Sequence, residues 1–297
     1  MPKFKQVDVF TSVNFKGNPV AVFFDADNLT DKELQSIANW TNLSETTFVL
    51  EPTNPKADYR VRIFTPIDEL PFAGHPTIGT SHAVIQAGLV KPNDDGIIVQ
   101  ESAVGLVSVK VKDGGLQFKL PFYKHEIYDL NSDLIKGIIK SLGSTTEKVK
   151  RVVLVEDGPR WLTIQFNDGE DVKELKTDST SLIQISQKSG LDGFSCFGKF
   201  SANSHDLIDQ SLTYEARNFV VFGSYVVEDP VCGSGAGADS SLLAEFEDFE
   251  GDLTIRQGRN LGRNGIIKVS VTKQQNGDNS RTIYVGGNAV TVLDGNY

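Results

Sequence analysis

A faint internal repeat limits what this chain can fold into more than any other feature, because it asks for two copies of one supersecondary unit. Tyr59-x-x-Arg62-x-Phe64 recurs as Tyr214-x-x-Arg217-x-Phe219, and Ala73-Gly74-His75-Pro76 meets Cys232-Gly233-Ser234-Gly235. A helix expected over 29–42, followed by Leu43-Ser44-Glu45-Thr46-Thr47-Phe48, has its counterpart over 177–189, followed by Leu191-Asp192-Gly193-Phe194-Ser195-Cys196. Val99-Gln100-Glu101 likewise resembles Ile255-Arg256-Gln257, so four blocks recur in one order. Around the glycines, both copies run strand, Gly-rich turn, helix.

Length agrees with duplication: 297 residues fit two domains at roughly 150 each. We expect one domain over 1–122, completed by a C-terminal strand over 288–297, and a second over 123–287. The join is expected near 123–130, where strand patterning gives way to a polar, helix-like stretch. Clusters of β-branched and aromatic residues predict strands over 7–10, 19–24, 46–50, 59–65, 97–101, 106–112 and 115–121, the last two joined by a hairpin at Asp113-Gly114. Thr30-Asp31-Lys32-Glu33 is a capping-box start, with Leu34, Ile37 and Ala38 on one helical face. The fold class is α+β, as two similar, pseudo-symmetric α/β domains whose glycine turns would face one another across an interdomain cleft, where small-ligand sites are common.

Composition removes whole classes of function. With 39% hydrophobic and 23% charged residues the chain is neither disordered nor a membrane protein, and no run approaches the ~20 apolar residues of a membrane span. A net charge of −10 repels phosphate backbones and argues against nucleic acid as a partner. Two cysteines, Cys196 and Cys232, make neither a disulfide framework nor a zinc site, and four scattered histidines make a metal site improbable. The N-terminal MPKFKQVDVF has no apolar h-region, so a cytoplasmic setting is expected and the sequons at Asn28 and Asn42 read as chance matches.

The chemistry concentrates at the two turns. In Phe72-Ala73-Gly74-His75-Pro76 a glycine allows close backbone approach and Pro76 suits a helix's first turn. In Glu228-Asp229-Pro230-Val231-Cys232-Gly233-Ser234-Gly235 the glycines expose backbone donors ahead of a helix expected over 238–246. Together they would clamp a small carboxylate. A dinucleotide reading fails on spacing, G-x-G-x-G rather than G-x-G-x-x-G, and no P-loop lysine or G-x-S-x-G elbow occurs. Glu45, just after a helix and at the mouth of an uncharged strand, is the best single general acid or base; its counterpart Gly193 shows that the shared architecture does not need a carboxylate there. His75 reads as a hydrogen-bond donor or proton carrier at the helix start, and His82 as a packed or surface residue. Cys232 at a helix N-terminus is a candidate thiolate, against the alternative of a small buried hydrophobe.

These residues resemble the phenazine-biosynthesis-protein-F-like isomerases, relatives of diaminopimelate epimerase and proline racemase. The resemblance rests on Val7-Asp8-Val9-Phe10 with Gly17-Asn18-Pro19-Val20-Ala21-Val22, on Asn42-Leu43-Ser44-Glu45-Thr46-Thr47-Phe48-Val49, on Phe72-Ala73-Gly74-His75-Pro76-Thr77, and on Glu228-Asp229-Pro230 leading into Gly233-Ser234. It implies two diaminopimelate-epimerase-like domains, each a curled sheet around a central helix, with the active site between them, and a homodimer. It implies Glu45 as the acid/base that moves a proton between carbons of a cyclic hydroxy amino acid, with His75 and Asp229 assisting. Gly74, Gly233 and Ser234 would hold the substrate carboxylate, with Cys232 beside them, and no cofactor or metal would take part. The related epimerases use two opposed cysteines, at the positions of Ala73 and Cys232; this chain keeps one. The competing readings are an amino-acid epimerase or dehydratase using Cys232, and a non-catalytic small-ligand-binding protein on the same scaffold.

Overall fold

The computed structural model describes residues 2–112, 114–208, 213–273 and 281–297. Backbone packing divides the chain into two units, one of residues 1–119 and 285–297, the other of residues 120–284. Each is mixed α/β and dominated by its sheet.

In the first unit the sheet runs, strand beside strand, Ala289–Asn296, Lys3–Val9, Asn18–Phe23, Glu45–Leu50, Tyr59–Phe64, Ile97–Ser102, Gly105–Lys112 and Gly115–Lys119. Asn18–Phe23 with Glu45–Leu50, and Tyr59–Phe64 with Ile97–Ser102, are the parallel pairs, and Glu69–Leu70 adds a short antiparallel strand beside Tyr59–Phe64. Lys112 faces Gly115 as the expected hairpin requires, while Asp113 itself lies outside the described residues.

The second unit repeats this order and these directions. Lys124–Ile127, Val149–Glu156, Arg160–Phe166, Gly193–Lys199, Thr213–Phe222, Gly251–Gln257 and Gly265–Lys273 lie side by side, with Tyr225–Asp229 as the short strand. Glu45 and Gly193 open equivalent strands, opposite Val20 and Trp161. The repeated arginines make the same contact: Arg62 grips Glu69 and Arg217 grips Glu228, each as a two-pronged fork. One block of the alignment slips. Tyr59 faces Gln100 and Tyr214 faces Ile255, so Gln100 matches Ile255 and not Arg256.

The join also differs from expectation. The stretch over 123–130 is no helix: Lys124–Ile127 pairs antiparallel with Val153–Glu156, and the helix begins only at Asp133, where the Ser132 hydroxyl accepts from the Ile135 N–H. Lys124-His125-Glu126 is a polar run, and an edge strand tolerates such polarity.

Helices cover the sheets in two ways. Asp31–Thr41 has the expected capping box, Thr30 and Glu33 each satisfying the other's backbone, and buries Leu34 and Ala38 against Phe23, Phe48 and Phe64. Its counterpart Ser179–Ser189, capped by Asp178, joins Asp133–Ser141 over Leu154, Leu162, Ile164 and Phe194. The helices Gly74–Gln86 and Gly233–Phe246 are different in kind, because nearly every residue in them is buried. Small side chains all round permit this, and their hydroxyls must find partners inside. Thr77 takes a bond from Gln100, Ser81 pairs with Tyr59 and Thr80 donates to Thr47; in the second unit the equivalent bond runs from Ser195 to Asp239, at 2.7 Å. The second of these helices opens at Gly233, five residues before the expected start, because its first turns are glycine-rich and carry no helical periodicity to read.

Gly193 shows how tight the second unit is. A Cβ there would lie 2.5 Å from Trp161 Cζ3 and 2.6 Å from the Phe219 carbonyl oxygen, and a backbone atom cannot swing aside. Gly193→Ala is therefore expected to lower stability by about 2–3 kcal/mol, read as a reduced urea midpoint at unchanged slope. A loss under 0.5 kcal/mol, roughly surface-like, would refute that packing.

Candidate active site

In the first unit the left-handed Asn42, at φ 54°, ends helix Asp31–Thr41 and turns the chain so that Glu45 enters its strand beside Val20. Helix Gly74–Gln86 starts nearby and puts His75 Nε2 3.5 Å from Glu45 Oε2. The Glu45 side chain is 17% exposed, and its Oε2 is buried and accepts no hydrogen bond among the described residues. Burial pushes the Glu45 carboxyl up to about 7, against the opposing effect of a hydrogen bond with Ser44. A carboxyl poised there is divided between acid and base at neutral pH. Ala73 gives the helix no side-chain cap, and Gly74 places no side chain at its first residue, where the positive end of the helix lies.

The second unit joins Asp229, Cys232, Gly233 and Ser234. Asp229 ends its strand, and its Oδ1 accepts from the Val231 N–H at 3.0 Å, turning the chain through Pro230. Gln257 braces that turn from both sides, accepting from the Cys232 N–H and donating to the Asp229 carbonyl. Cys232 is the N-cap: its Sγ accepts from the Gly235 N–H at 3.3 Å, and Ser234 Oγ lies 3.5 Å away. Of the two readings of Cys232, the surroundings favour the protonated thiol over the thiolate. Burial first, and then the Asp229 charge, push the thiol well above its ordinary value. His82 is partly buried beside Thr291, as a packing residue would be.

The sequence reading did not reach three residues around this loop. Trp161, 2% exposed, donates its indole N–H to Ser234 Oγ at 3.3 Å. Asp239 is fully buried in the helix, bonded to Ser195, which also takes a bond from Asn218. Asp157 is buried next to Gly237. Asp239 stands out among glycines, alanines and serines, a signal that was available; the neighbours of Asp157 and Trp161 are remote in sequence and gave none. Burial lifts Asp239 to about 8, and burial together with the Asp239 charge lifts Asp157.

That shift sets a pH dependence. A carboxyl that ionises near 3.8 unfolded and near 8 folded binds more protons in the native state across this window, so its contribution to stability falls as pH rises from about 4 to about 8 and then levels. Asp239→Asn keeps the acceptor for Ser195 and removes the titration. Its unfolding free energy relative to the parent should rise steadily from pH 5 to pH 8.5, and a pH-independent difference would overturn the assignment.

Among the described residues no three His, Cys, Asp or Glu side chains are grouped to hold a metal ion, and no helix is long and apolar enough to cross a membrane. Residues 7–295 match the family of phenazine biosynthesis-like proteins. The chain is 44% identical to antisense-enhancing sequence 1 of Schizosaccharomyces pombe, over 98% of this chain and 97% of that one. It is 30% identical to the trans-2,3-dihydro-3-hydroxyanthranilate isomerase of Pseudomonas aeruginosa, over 99% of both. The crystal structure of the Bacillus anthracis phenazine biosynthesis protein of the same family superposes with a TM-score of 0.84 at 22% identity, covering 99% of this chain and 98% of that one. The chain therefore belongs to the phenazine biosynthesis-like protein family and is an enzyme of the isomerase class.

Proposed function

We propose that the protein is a cofactor-independent isomerase that moves a proton between two carbons of a small cyclic hydroxy or amino acid bearing a carboxylate, with Glu45 as the acid/base. The observation that carries this reading is the Glu45 carboxyl: mostly buried, 3.5 Å from His75 Nε2, one oxygen without a hydrogen bond among the described residues, and held near neutrality. Ionised Glu45 takes a proton from one carbon, the electron pair delocalises through an adjoining double bond, and the protonated carboxyl returns a proton to another carbon. No atom is gained or lost. His75 steadies the carboxylate and assists the proton's movement, while Gly74 offers backbone to the substrate carboxylate. Asp229, Gly233 and Ser234 are assigned substrate contacts, on the strength of the family pattern they match. The homologous Pseudomonas enzyme, named for trans-2,3-dihydro-3-hydroxyanthranilate, supports the substrate class. The same reading extends to a homodimer acting in the cytoplasm.

Cys232 is not given the proton. Its sulfur caps the helix and its thiol is held protonated, so a thiol-based epimerisation lacks the thiolate it would need. Solvent deuterium wash-in separates the two. Incubated in D2O with a pool of cyclic hydroxy and amino acids, the parent should label one compound, Glu45→Gln should lose at least about 10²-fold, and Cys232→Ser should keep most of the rate. Against the labelled compound, kcat/KM should rise with unit slope to a plateau above pH about 7, the value at which Glu45 gives up its proton. Full labelling by Glu45→Gln would sink the proposal.

A further inference from the structure

Where the first unit opens its third strand with Glu45, the second has Gly193, and the side chain beside that glycine is the indole of Trp161, in register across the parallel pair. Where the first unit has His75 as second residue of its buried helix, the second has Ser234, and the same indole donates its N–H to the Ser234 hydroxyl at 3.3 Å. One side chain thus fills the seat of the missing carboxylate and holds the residue standing in for the histidine. Indole N–H groups donate only, so Ser234 Oγ acts as acceptor toward Trp161, and its single proton must be donated elsewhere. Cys232 Sγ, 3.5 Å away, is a weak acceptor, and a carboxylate would be a much stronger one. Ser234 itself is only partly buried and can be reached.

We propose that Trp161 is a positioning residue of the substrate site, whose indole N–H fixes the Ser234 hydroxyl as a donor to the carboxylate of the ligand. The inference rests on the reading of Ser234 as a substrate contact. It also explains a duplicated scaffold with one acid/base: the second seat is occupied by a ring that neither gives nor takes a carbon-bound proton.

The chain has two tryptophans, and Trp40 is 83% exposed, so Trp40→Phe leaves Trp161 as the single indole N–H signal in a nitrogen–proton correlation spectrum. The probe is 3-hydroxyanthranilate, fully aromatic and so without a tetrahedral C–H to lose, with 2-aminophenol, which lacks the carboxylate, as its control. In the Trp40→Phe background, Ser234→Ala should move the indole signal even without probe, and adding probe to the parent should move it further. Trp161→Phe keeps a ring in the seat but deletes the donor; it should weaken 3-hydroxyanthranilate binding about fivefold, leave 2-aminophenol unchanged, and add nothing to the loss in Ser234→Ala. Thermal unfolding of both variants checks the fold, and Ser234→Ala, the milder change, carries the spectroscopic arm alone if Trp161→Phe is unstable. An indole signal indifferent to Ser234→Ala, or equal probe affinity in Trp161→Phe and parent while Ser234→Ala binds weakly, would overturn the role of Trp161. No binding by the parent, or parent-like binding by Ser234→Ala, would instead overturn the substrate reading on which it stands.

Discussion

Each unit depends on one constraint: a helix buried on nearly all sides must have its polar groups satisfied by the sheet that packs against it. Helix Gly74–Gln86 meets it with threonine and serine hydroxyls bonded to Thr47, Tyr59 and Gln100. Because those bonds fix the helix in rotation and height, its first turn comes to rest beside the first residue of strand Glu45–Leu50. Glu45 and His75 are then neighbours by construction, and the water removed to bury the helix is the water that would otherwise have kept Glu45 an ordinary carboxylate. The fold and the proton affinity have one cause.

Duplication makes the two halves controls for one another. Strand order, strand direction, the two-pronged arginine contacts and a hydroxyl bond between sheet and helix are shared, and these are what the scaffold requires. The differences fall where chemistry is proposed: Glu45 against Gly193, His75 against Ser234, Ala73 against Cys232. Thr80 against Asp239 is a further departure, and it places an acid in a core whose counterpart manages with a hydroxyl. Fully buried beside Ser195, that acid holds its proton into mildly alkaline solution, so the second unit carries a titration that the first does not.

How much of this could be read from the chain follows from the range of each interaction. The capping box at Thr30, the strands around Phe48 and Tyr59, and the start of helix Gly74–Gln86 are local, and local residues announce them, whereas the glycine-rich start of Gly233–Phe246 is not. The repeat carried the reading further, since Tyr59 and Tyr214 locate equivalent strands without any knowledge of the fold. It failed in one block, where Val99-Gln100-Glu101 set against Ile255-Arg256-Gln257 falls one residue out of step, because similarity over three residues does not encode strand register. The strand at Lys124–Ile127 was missed because its polar edge looks like a solvent-facing helix until its partner, Val153–Glu156, is known. Trp161 and Ser234 lie 73 positions apart, and no spacing rule joins an indole to a hydroxyl over such a distance.

Cys232 shows why position alone does not decide reactivity. A helix N-terminus favours a thiolate by ~0.3–1 kcal/mol when exposed, and up to ~2 in favourable, partly buried geometries. Full burial works in the opposite direction with a larger free energy, and Asp229, three residues away in the chain, adds a like charge. The sulfur accordingly settles into the one role that costs no ionisation, accepting the Gly235 N–H that the helix start leaves unsatisfied. Gly235 is required there on its own account, since a Cβ would meet Asn218 Nδ2 at 2.0 Å. Asn218 is in turn bonded to Ser195, and Ser195 to the buried Asp239. The cap, the glycine and the polar row therefore belong to one packed unit, which favours the protonated sulfur.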